Sequence, residues 1–191
     1  MAVSLEKGGN VSLTKTSPNT SKFKIGLGWN ANTTSSGKPF DVDVSAFVLG
    51  ENGKVLADEA FIFYNNKNYK DFITHTGDNQ DGLAEGDDES LLFDSNKQIP
   101  DWKSIKFIVT IHDALAKAQN FGQISGSYIR IVDEITNTEL VRFDLNEDFS
   151  TETAMEFGEL YLNGSEIKFR AIGTGQKTGL ANYCTQYGVN I

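Results

Sequence analysis

The sequence predicts a mainly β protein, a β-sandwich of antiparallel strands with a few short peripheral helices. Three observations predict it: many short segments of strand length, turn signals between them, and helical periodicity confined to three short stretches. No change of composition, Pro/Ser-rich linker or internal repeat divides the chain. Residues 1–191 are therefore predicted to form a single domain.

The strands are predicted from apolar runs and from alternation of apolar and polar residues. Segment 40–49 alternates at first and then becomes apolar on both faces, which is typical of an inner strand. Glu51-Asn52-Gly53-Lys54 is a hairpin turn signal before the next strand. The predicted strands cover residues 23–29, 40–49, 60–64, 90–93, 105–111, 127–132, 139–145 and 166–172.

Three stretches favour helices. Residues 114–119 suit a short helix capped by Asp113, and 153–161 follow a plausible helix start at Ser150-Thr151-Glu152. Residues 179–187 form the third, with Gly188 as its stop. That helix would place four residues on one face: Leu180, Tyr183, Cys184 and Tyr187.

Composition indicates a soluble, cytoplasmic protein. Apolar runs of about five residues are far shorter than the roughly 20 that span a bilayer, so no membrane insertion is expected. Residues 1–15 lack the pattern of a signal peptide. The one cysteine, Cys184, excludes an internal disulfide and fits a reducing compartment.

The negative charge is concentrated in one window. The formal net charge is −9, and residues 71–96 carry eight acids and no Lys or Arg. The rest of the chain is almost neutral, and its basic residues are scattered. Because nucleic acid and anionic membranes bind clustered Lys and Arg, both are unlikely partners.

The window has the composition of a calcium loop. Carboxylates about 4 Å apart repel by roughly 4 kcal/mol per pair at an effective dielectric near 20, so folding several of them together favours a bound cation. Hard oxygen donors, with glycines that expose carbonyls and without a Cys or His pair, favour Ca²⁺ over Zn²⁺. A solvated acidic loop is the alternative. The spacing from Asp78 does not match an EF-hand.

A second acidic element lies on a predicted strand. Asp41 and Asp43 are two residues apart, so both carboxylates leave the same face. If the 77–89 segment folds over that face, the pair completes an oxygen shell. Asn65 and Asn66 end near the same edge, and a simple turn explains them equally well.

The ordered motifs resemble the TerD family of tellurium-resistance and general stress proteins over essentially the whole chain. The segments that carry the resemblance include Gly26-Leu27-Gly28-Trp29, Asp41-Val42-Asp43, Phe63-Tyr64-Asn65-Asn66, Thr76-Gly77-Asp78-Asn79, Gly86-Asp87-Asp88-Glu89, Ile111-His112-Asp113-Ala114 and Phe157-Gly158-Glu159-Leu160-Tyr161.

The resemblance implies a β-sandwich whose acidic loops bind about two Ca²⁺ ions, in a non-enzymatic binding or scaffold module of the tellurite and stress response. Other tellurium-resistance proteins, including a membrane protein, are its expected partners. By matching position, the implied metal ligands are Asp41, Asp43, Asn66, Gly77, Asp78, Asn79, Gly86, Asp87, Asp88 and Glu89.

Two alternatives stay open. In one, calcium is purely structural, and another surface carries the function. In the other, the acidic cleft holds the metal of a hydrolase. No catalytic residue is predicted, because no nucleophile is marked beside His75 or His112. The glycine-rich segment 173–179 matches neither the P-loop nor the dinucleotide fingerprint.

Overall fold

Two β-sheets packed face to face build the protein, so the predicted β-sandwich is confirmed. The structure is a computed structural model that describes residues 2–30, 40–77, 86–97, 99–145 and 151–190. Most of the apolar side chains of both sheets lie in one interior cluster between them.

The strands in chain order are β1 (Val3–Ser4), β2 (Asn10–Ser12), β3 (Lys22–Asn30), β4 (Val42–Leu49), β5 (Phe61–Ile62), β6 (Asn68–Tyr69), β7 (Ile73–His75), β8 (Glu89–Asp94), β9 (Ser104–Ile111), β10 (Ser125–Asp133), β11 (Thr138–Asp144), β12 (Ala154–Asn163) and β13 (Glu166–Gln176). The helices are α1 (Leu13–Thr16), α2 (Ala114–Lys117) and α3 (Leu180–Tyr187), with short 3₁₀ turns at Asp58–Ala60 and Phe121–Gln123.

One sheet has seven strands in the order β1-β11-β10-β3-β8-β7-β6, and the other has six in the order β2-β13-β12-β9-β4-β5. The strand pairs are antiparallel, except that β1 lies parallel to β11. All eight predicted strand segments coincide with or overlap observed strands.

Strand β4 is buried on both faces, as its sequence predicts. Val44 and Val48 point into the space between the sheets. Phe47 and Leu49 point to the outer side of the six-stranded sheet, where α3 covers them. Because successive side chains of a strand alternate between faces, an inner strand under a helix is apolar throughout.

Helix α3 provides that cover. Tyr183, Cys184 and Tyr187 are buried on its inner face, and Leu180 packs against the same cluster, as predicted. Gly188 ends the helix in the left-handed region at φ 80°, which glycine adopts without steric cost.

The predicted helix over 153–161 is wrong, because these residues form β12, which lies between β13 and β9. A bulge between Glu156 and Gly158 interrupts the alternation of the strand. Its inward residues Met155, Phe157 and Leu160 are therefore spaced by two and then three positions. This spacing breaks the two-residue alternation by which a strand is identified in the sequence.

The predicted cap of α2 is wrong in its chemistry. Asp113 occupies the N-cap position, but it has φ 54° and its side chain makes no capping hydrogen bond. The short elements β1, β2, β6, β7 and α1 were not predicted, because two to four residues are too few to show a period.

Candidate functional site

The acids Asp87, Asp88 and Glu89 are consecutive in sequence, but their carboxylates go to three different places. Glu89 begins β8 and points inward, and its side chain is fully buried. Its Oε2 accepts a hydrogen bond from the backbone N–H of Val44 at 2.6 Å. The pairing of β5 with β4 ends at Ala46. The Glu89 carboxylate therefore takes the place of a further strand residue at this edge of β4.

His75, at the end of β7, lies beside Glu89. Its Nδ1 accepts a hydrogen bond from the backbone N–H of Gly77 at 3.3 Å, which assigns the ring proton to Nε2. The Nε2 atom is 3.7 Å from Glu89 Oε2, beyond hydrogen-bond length, and both side chains are fully buried. One imidazole therefore contacts residues on both sides of segment 78–85.

Asp88 joins the end of β3. Its Oδ2 accepts a hydrogen bond from the backbone N–H of Trp29 at 2.9 Å. Its own N–H donates to the carbonyl of Leu27 at 2.8 Å. Asp88 therefore extends the pairing of β8 with β3 through both its backbone and its side chain.

Asp87 lies over the outer face of the seven-stranded sheet. The Nε of Arg130 donates to its Oδ1 at 2.6 Å, and the Nζ of Lys24 is 3.0 Å from its Oδ2. The Tyr128 hydroxyl lies 3.1 Å from Oδ1 and 3.0 Å from the carbonyl oxygen of Gly86. Only 6 % of the Asp87 side chain is exposed. The acidic window contains no Lys or Arg, but the fold places Lys24 of β3 and Arg130 of β10 beside Asp87.

These contacts shift the acid–base properties of the group. Burial on its own raises the pKa of the Asp87 carboxyl, but the hydrogen bonds and charges of Arg130 and Lys24 outweigh burial and hold that pKa below its usual range. Burial, reinforced by the charge of Asp87, raises the pKa of Tyr128 to about 12. At neutral pH the carboxylate is therefore ionised and the phenol is protonated.

Two glycines of β3 make room for this arrangement. Gly26 pairs with Arg130 and Gly28 with Tyr128, and both glycines face the outer side of the sheet. A Cβ on Gly26 would collide with the Asp87 carboxylate, and one on Gly28 would collide with the Tyr128 ring. The alternating glycines of the Gly26-Leu27-Gly28-Trp29 motif are thus a floor for side chains from β10 and from the segment before β8.

Asp41 and Asp43 lie at the start of β4. Asp43 pairs with Thr110 of β9 and is 8 % exposed. The backbone carbonyl of Asp41 accepts a hydrogen bond from the N–H of His112 at 2.8 Å. Asp43 has the same strand parity as Phe47, which places it on the outer side of the six-stranded sheet.

Asp43 lines a cavity of about 390 Å³. Thr110 and Thr153 contribute hydroxyl groups to the lining. Leu115 and Tyr64 also line the cavity, and both are large apolar residues that are exposed to solvent. The remaining lining residues are Ile111, His112, Asp113, Ala114, Ala116, Gly179 and Leu180.

Asn66 closes a tight turn after β5. Its backbone N–H and carbonyl both bond to Phe63, at 3.0 and 3.1 Å. Its side-chain amide nitrogen donates to the carbonyls of Phe61 at 2.6 Å and Glu59 at 3.1 Å. The amide nitrogen therefore shapes the turn, and the amide oxygen is the side-chain atom suited to a cation.

The structure brings only part of the predicted ligand set together. Glu89 reaches the residue next to Asp43, whereas Asp87 lies on the opposite outer surface. Asp78 and Asn79 fall outside the described residues. Within the described ranges, no group of three or more His, Cys, Asp and Glu side chains is arranged to hold a metal ion.

Sequence reasoning missed Lys24, Tyr128 and Arg130. Their separation from Asp87 in sequence hides the ion pairs. The signal that could have found them is the pair of alternating glycines in β3, which indicates close approach of other groups to one face of a strand.

Other groups considered as catalytic have ordinary surroundings. His112 is exposed and lies 3.4 Å from the exposed Asp113 carboxylate. Cys184 is buried, and burial raises the pKa of its thiol. Gly173–Gln176 form the end of β13, so most of the glycine-rich segment is strand. The described part of the chain contains no helix with the length and apolarity to cross a bilayer.

Comparison with known proteins places the chain in a family. The model of the TerD domain matches residues 1–187. The chain belongs to the TerD family. The Tellurium resistance protein TerD of Serratia marcescens is 54% identical over 191 residues, which cover 100% of this chain and 99% of that protein. General stress protein 16U of Bacillus subtilis (strain 168) is 47% identical over 192 residues, covering 100% of both chains.

A solved structure shares the TerD fold. The crystal structure of the unknown-function protein SAV2460 superposes with a TM-score of 0.71 at 20% sequence identity, covering 86% of this chain and 94% of that one. At this identity the likeness shows the fold alone.

Proposed function

We propose that this TerD-family chain is a calcium-binding, non-enzymatic module of the tellurite-resistance and general stress response. The observation that supports the proposal best is the hydrogen bond from Val44 N–H to Glu89 Oε2. It joins a carboxylate of the acidic window to the backbone of the strand that carries Asp43. The acidic window therefore contacts β4 one residue after Asp43.

The chemistry of the donors favours calcium. Carboxylate and amide oxygens are the ligands that Ca²⁺ prefers. The one cysteine of the sequence, Cys184, is buried on the inner face of α3. The described residues do not complete a site by themselves. We propose that Asp41, Asp43, Asp88, Glu89 and the Asn66 amide oxygen contribute to it, together with Asp78, Asn79 and the backbone of Gly77 and Gly86. Bound Ca²⁺ would neutralise the charge of these groups and hold the segments together.

The non-enzymatic role is supported by the names of the relatives, which describe tellurium resistance and general stress and no reaction. A binding or scaffold role also agrees with the ordinary surroundings of His112 and Cys184. We propose that its partners are other proteins of the same response.

The experiment is a calcium titration of chelator-treated protein by calorimetry, with thermal melts in EDTA and in calcium. D43N and D41N keep side-chain size and remove one charge each, and we expect each to weaken calcium binding at least tenfold. D113N is the matched control, because Asp113 lines the same cavity with an exposed carboxylate. Its affinity should stay within about threefold of wild type.

Absence of calcium uptake at millimolar concentration would refute the proposal. A micromolar dissociation constant would favour regulation by cellular calcium, and a much tighter one a permanent structural ion. Metal-dependent turnover of a phosphoester or peptide, abolished by D43N, would instead favour the hydrolase.

A further inference from the structure

We infer that Asp87 is a positioning residue and not a metal ligand: its carboxylate is held by Lys24, Tyr128 and Arg130, and it fixes residues 86–87 of the acidic window to the seven-stranded sheet without a cation. We call these four residues the Asp87 clamp. The inference rests on the proposed function for the role of the acidic window. The geometry of the clamp does not require a metal.

The Asp87 carboxylate lies between two cationic side chains, and its Oδ1 accepts a hydrogen bond from Arg130. Each carboxylate oxygen faces a cation of the protein, with Arg130 Nε at 2.6 Å from Oδ1 and Lys24 Nζ at 3.0 Å from Oδ2. The Tyr128 hydroxyl supplies a further contact to Oδ1. Two positive side chains beside one buried carboxylate neutralise its charge and repel a divalent cation.

The clamp also holds backbone. The Tyr128 hydroxyl lies within hydrogen-bond distance of the Gly86 carbonyl, so one phenol contacts both the backbone of Gly86 and the side chain of Asp87. The guanidinium of Arg142 lies over the ring of Tyr128, 3.8 Å from its centroid. Arg130 in turn donates to Glu139 at 3.0 Å. The clamp is thus part of a charge network across β3, β10 and β11.

The floor of the clamp is specific to this arrangement. The carboxylate sits where a side chain of residue 26 would be, and the phenol where one of residue 28 would be. Strand glycines weaken a sheet unless another group uses the space. Here the Asp87 and Tyr128 side chains use it.

The neighbouring acids have a different environment. Glu89 and Asp88 accept hydrogen bonds from backbone N–H groups of β4 and β3. Asp87 instead accepts from the Arg130 side chain over the outer face of the seven-stranded sheet, so the three consecutive carboxylates have separate surroundings.

The test compares D87N with R130M in one series, since R130M disables the clamp without removing an oxygen ligand. Both variants and D87N/R130M are melted in EDTA and titrated with Ca²⁺ by calorimetry. D144N is the matched control, because Asp144 is a half-exposed acid that pairs with Arg142 on the same sheet face.

We expect D87N and R130M each to lower the melting temperature in EDTA by about 5 °C, from the loss of a charge-assisted hydrogen bond. The double variant should lose clearly less than the sum. D144N should shift the melting temperature by no more than about 2 °C. The calcium dissociation constants of D87N and R130M should agree with each other within tenfold. Any shift from the wild-type constant should be common to both variants, because both changes release residues 86–87 from the sheet.

Two results would overturn the inference. One is a D87N dissociation constant more than tenfold weaker than that of R130M, which would make Asp87 a ligand. The other is additive or absent melting shifts in EDTA, which would mean that no clamp exists in the metal-free protein. If wild type takes up no calcium, the proposed function fails, and the additivity of the shifts in EDTA still decides the clamp.

Discussion

Glu89 Oε2 lies 2.6 Å from the backbone nitrogen of Val44, and this hydrogen bond joins one sheet of the sandwich to an open edge of the other. The carboxylate accepts the hydrogen bond that a neighbouring strand would otherwise accept, because the chain leaves the edge of β4 after β5, in the turn that Asn66 closes. The same carboxylate belongs to the predicted calcium site. In the proposed site, the side chain that pairs with this strand edge would therefore also be a calcium ligand.

The first prediction separates these two roles of Glu89. E89Q keeps an oxygen acceptor for Val44 and should lower the free energy of unfolding by less than about 1 kcal/mol in EDTA. E89M has a similar size without that acceptor, leaves the buried N–H unpaired, and should cost about 2 kcal/mol. Urea unfolding in EDTA measures both, and equal losses would show that the hydrogen bond adds nothing.

The second prediction concerns acid. Because the folded-state pKa of Asp87 is lowered, its contribution to stability is complete above the ordinary aspartate pKa of about 3.9 and is lost as pH falls through the lower folded value. In EDTA, D87N should therefore be less stable than wild type at pH 6, and the difference should shrink as the pH falls below the ordinary aspartate pKa. A difference that persists undiminished at low pH would contradict the ion pair.

The third prediction tests the glycine floor. G26A introduces a methyl group where the Asp87 carboxylate lies, and should cost about 2 kcal/mol or more. In a D87A background the methyl group meets a shorter side chain, so the same change should cost clearly less. Urea denaturation of the four proteins forms the cycle, and equal costs in both backgrounds would reject the proposed collision.

The fourth prediction concerns the single cysteine. Cys184 is buried on the inner face of α3, and burial raises the pKa of its thiol, so little thiolate is available in the folded protein. A thiol reagent such as DTNB should react at least 100-fold more slowly with native protein than with protein in urea. Rapid native labelling would show that α3 detaches readily from the sheet.

Strands with a clear apolar pattern could be predicted, because one face or both must be buried. The pattern of β4 even predicts its inner position, and α3 follows from its apolar face and Gly188. The helix predicted at β12 rested on the start signal Ser150-Thr151-Glu152, and the bulge of β12 breaks the alternation that identifies a strand.

The candidate site was predictable only in part. Residue types and spacing predict acids that meet near Asp43, and Glu89 reaches its neighbour Val44. The surroundings of Asp87 were not predictable from local sequence, because Lys24 and Arg130 come from distant strands. Counting charges within a sequence window therefore overestimates the unbalanced negative charge, because it leaves out basic side chains that distant strands bring close in the fold.

Helix α3 covers the outer side of the six-stranded sheet through a single small apolar cluster. Phe47, Phe61 and Ile108 depend on this one helix of eight residues for much of their shelter from water. Detachment of the helix would expose an apolar surface that includes Phe47 and Phe61. Exposed apolar patches favour association, so self-association would begin at this surface before the rest of the sandwich unfolds.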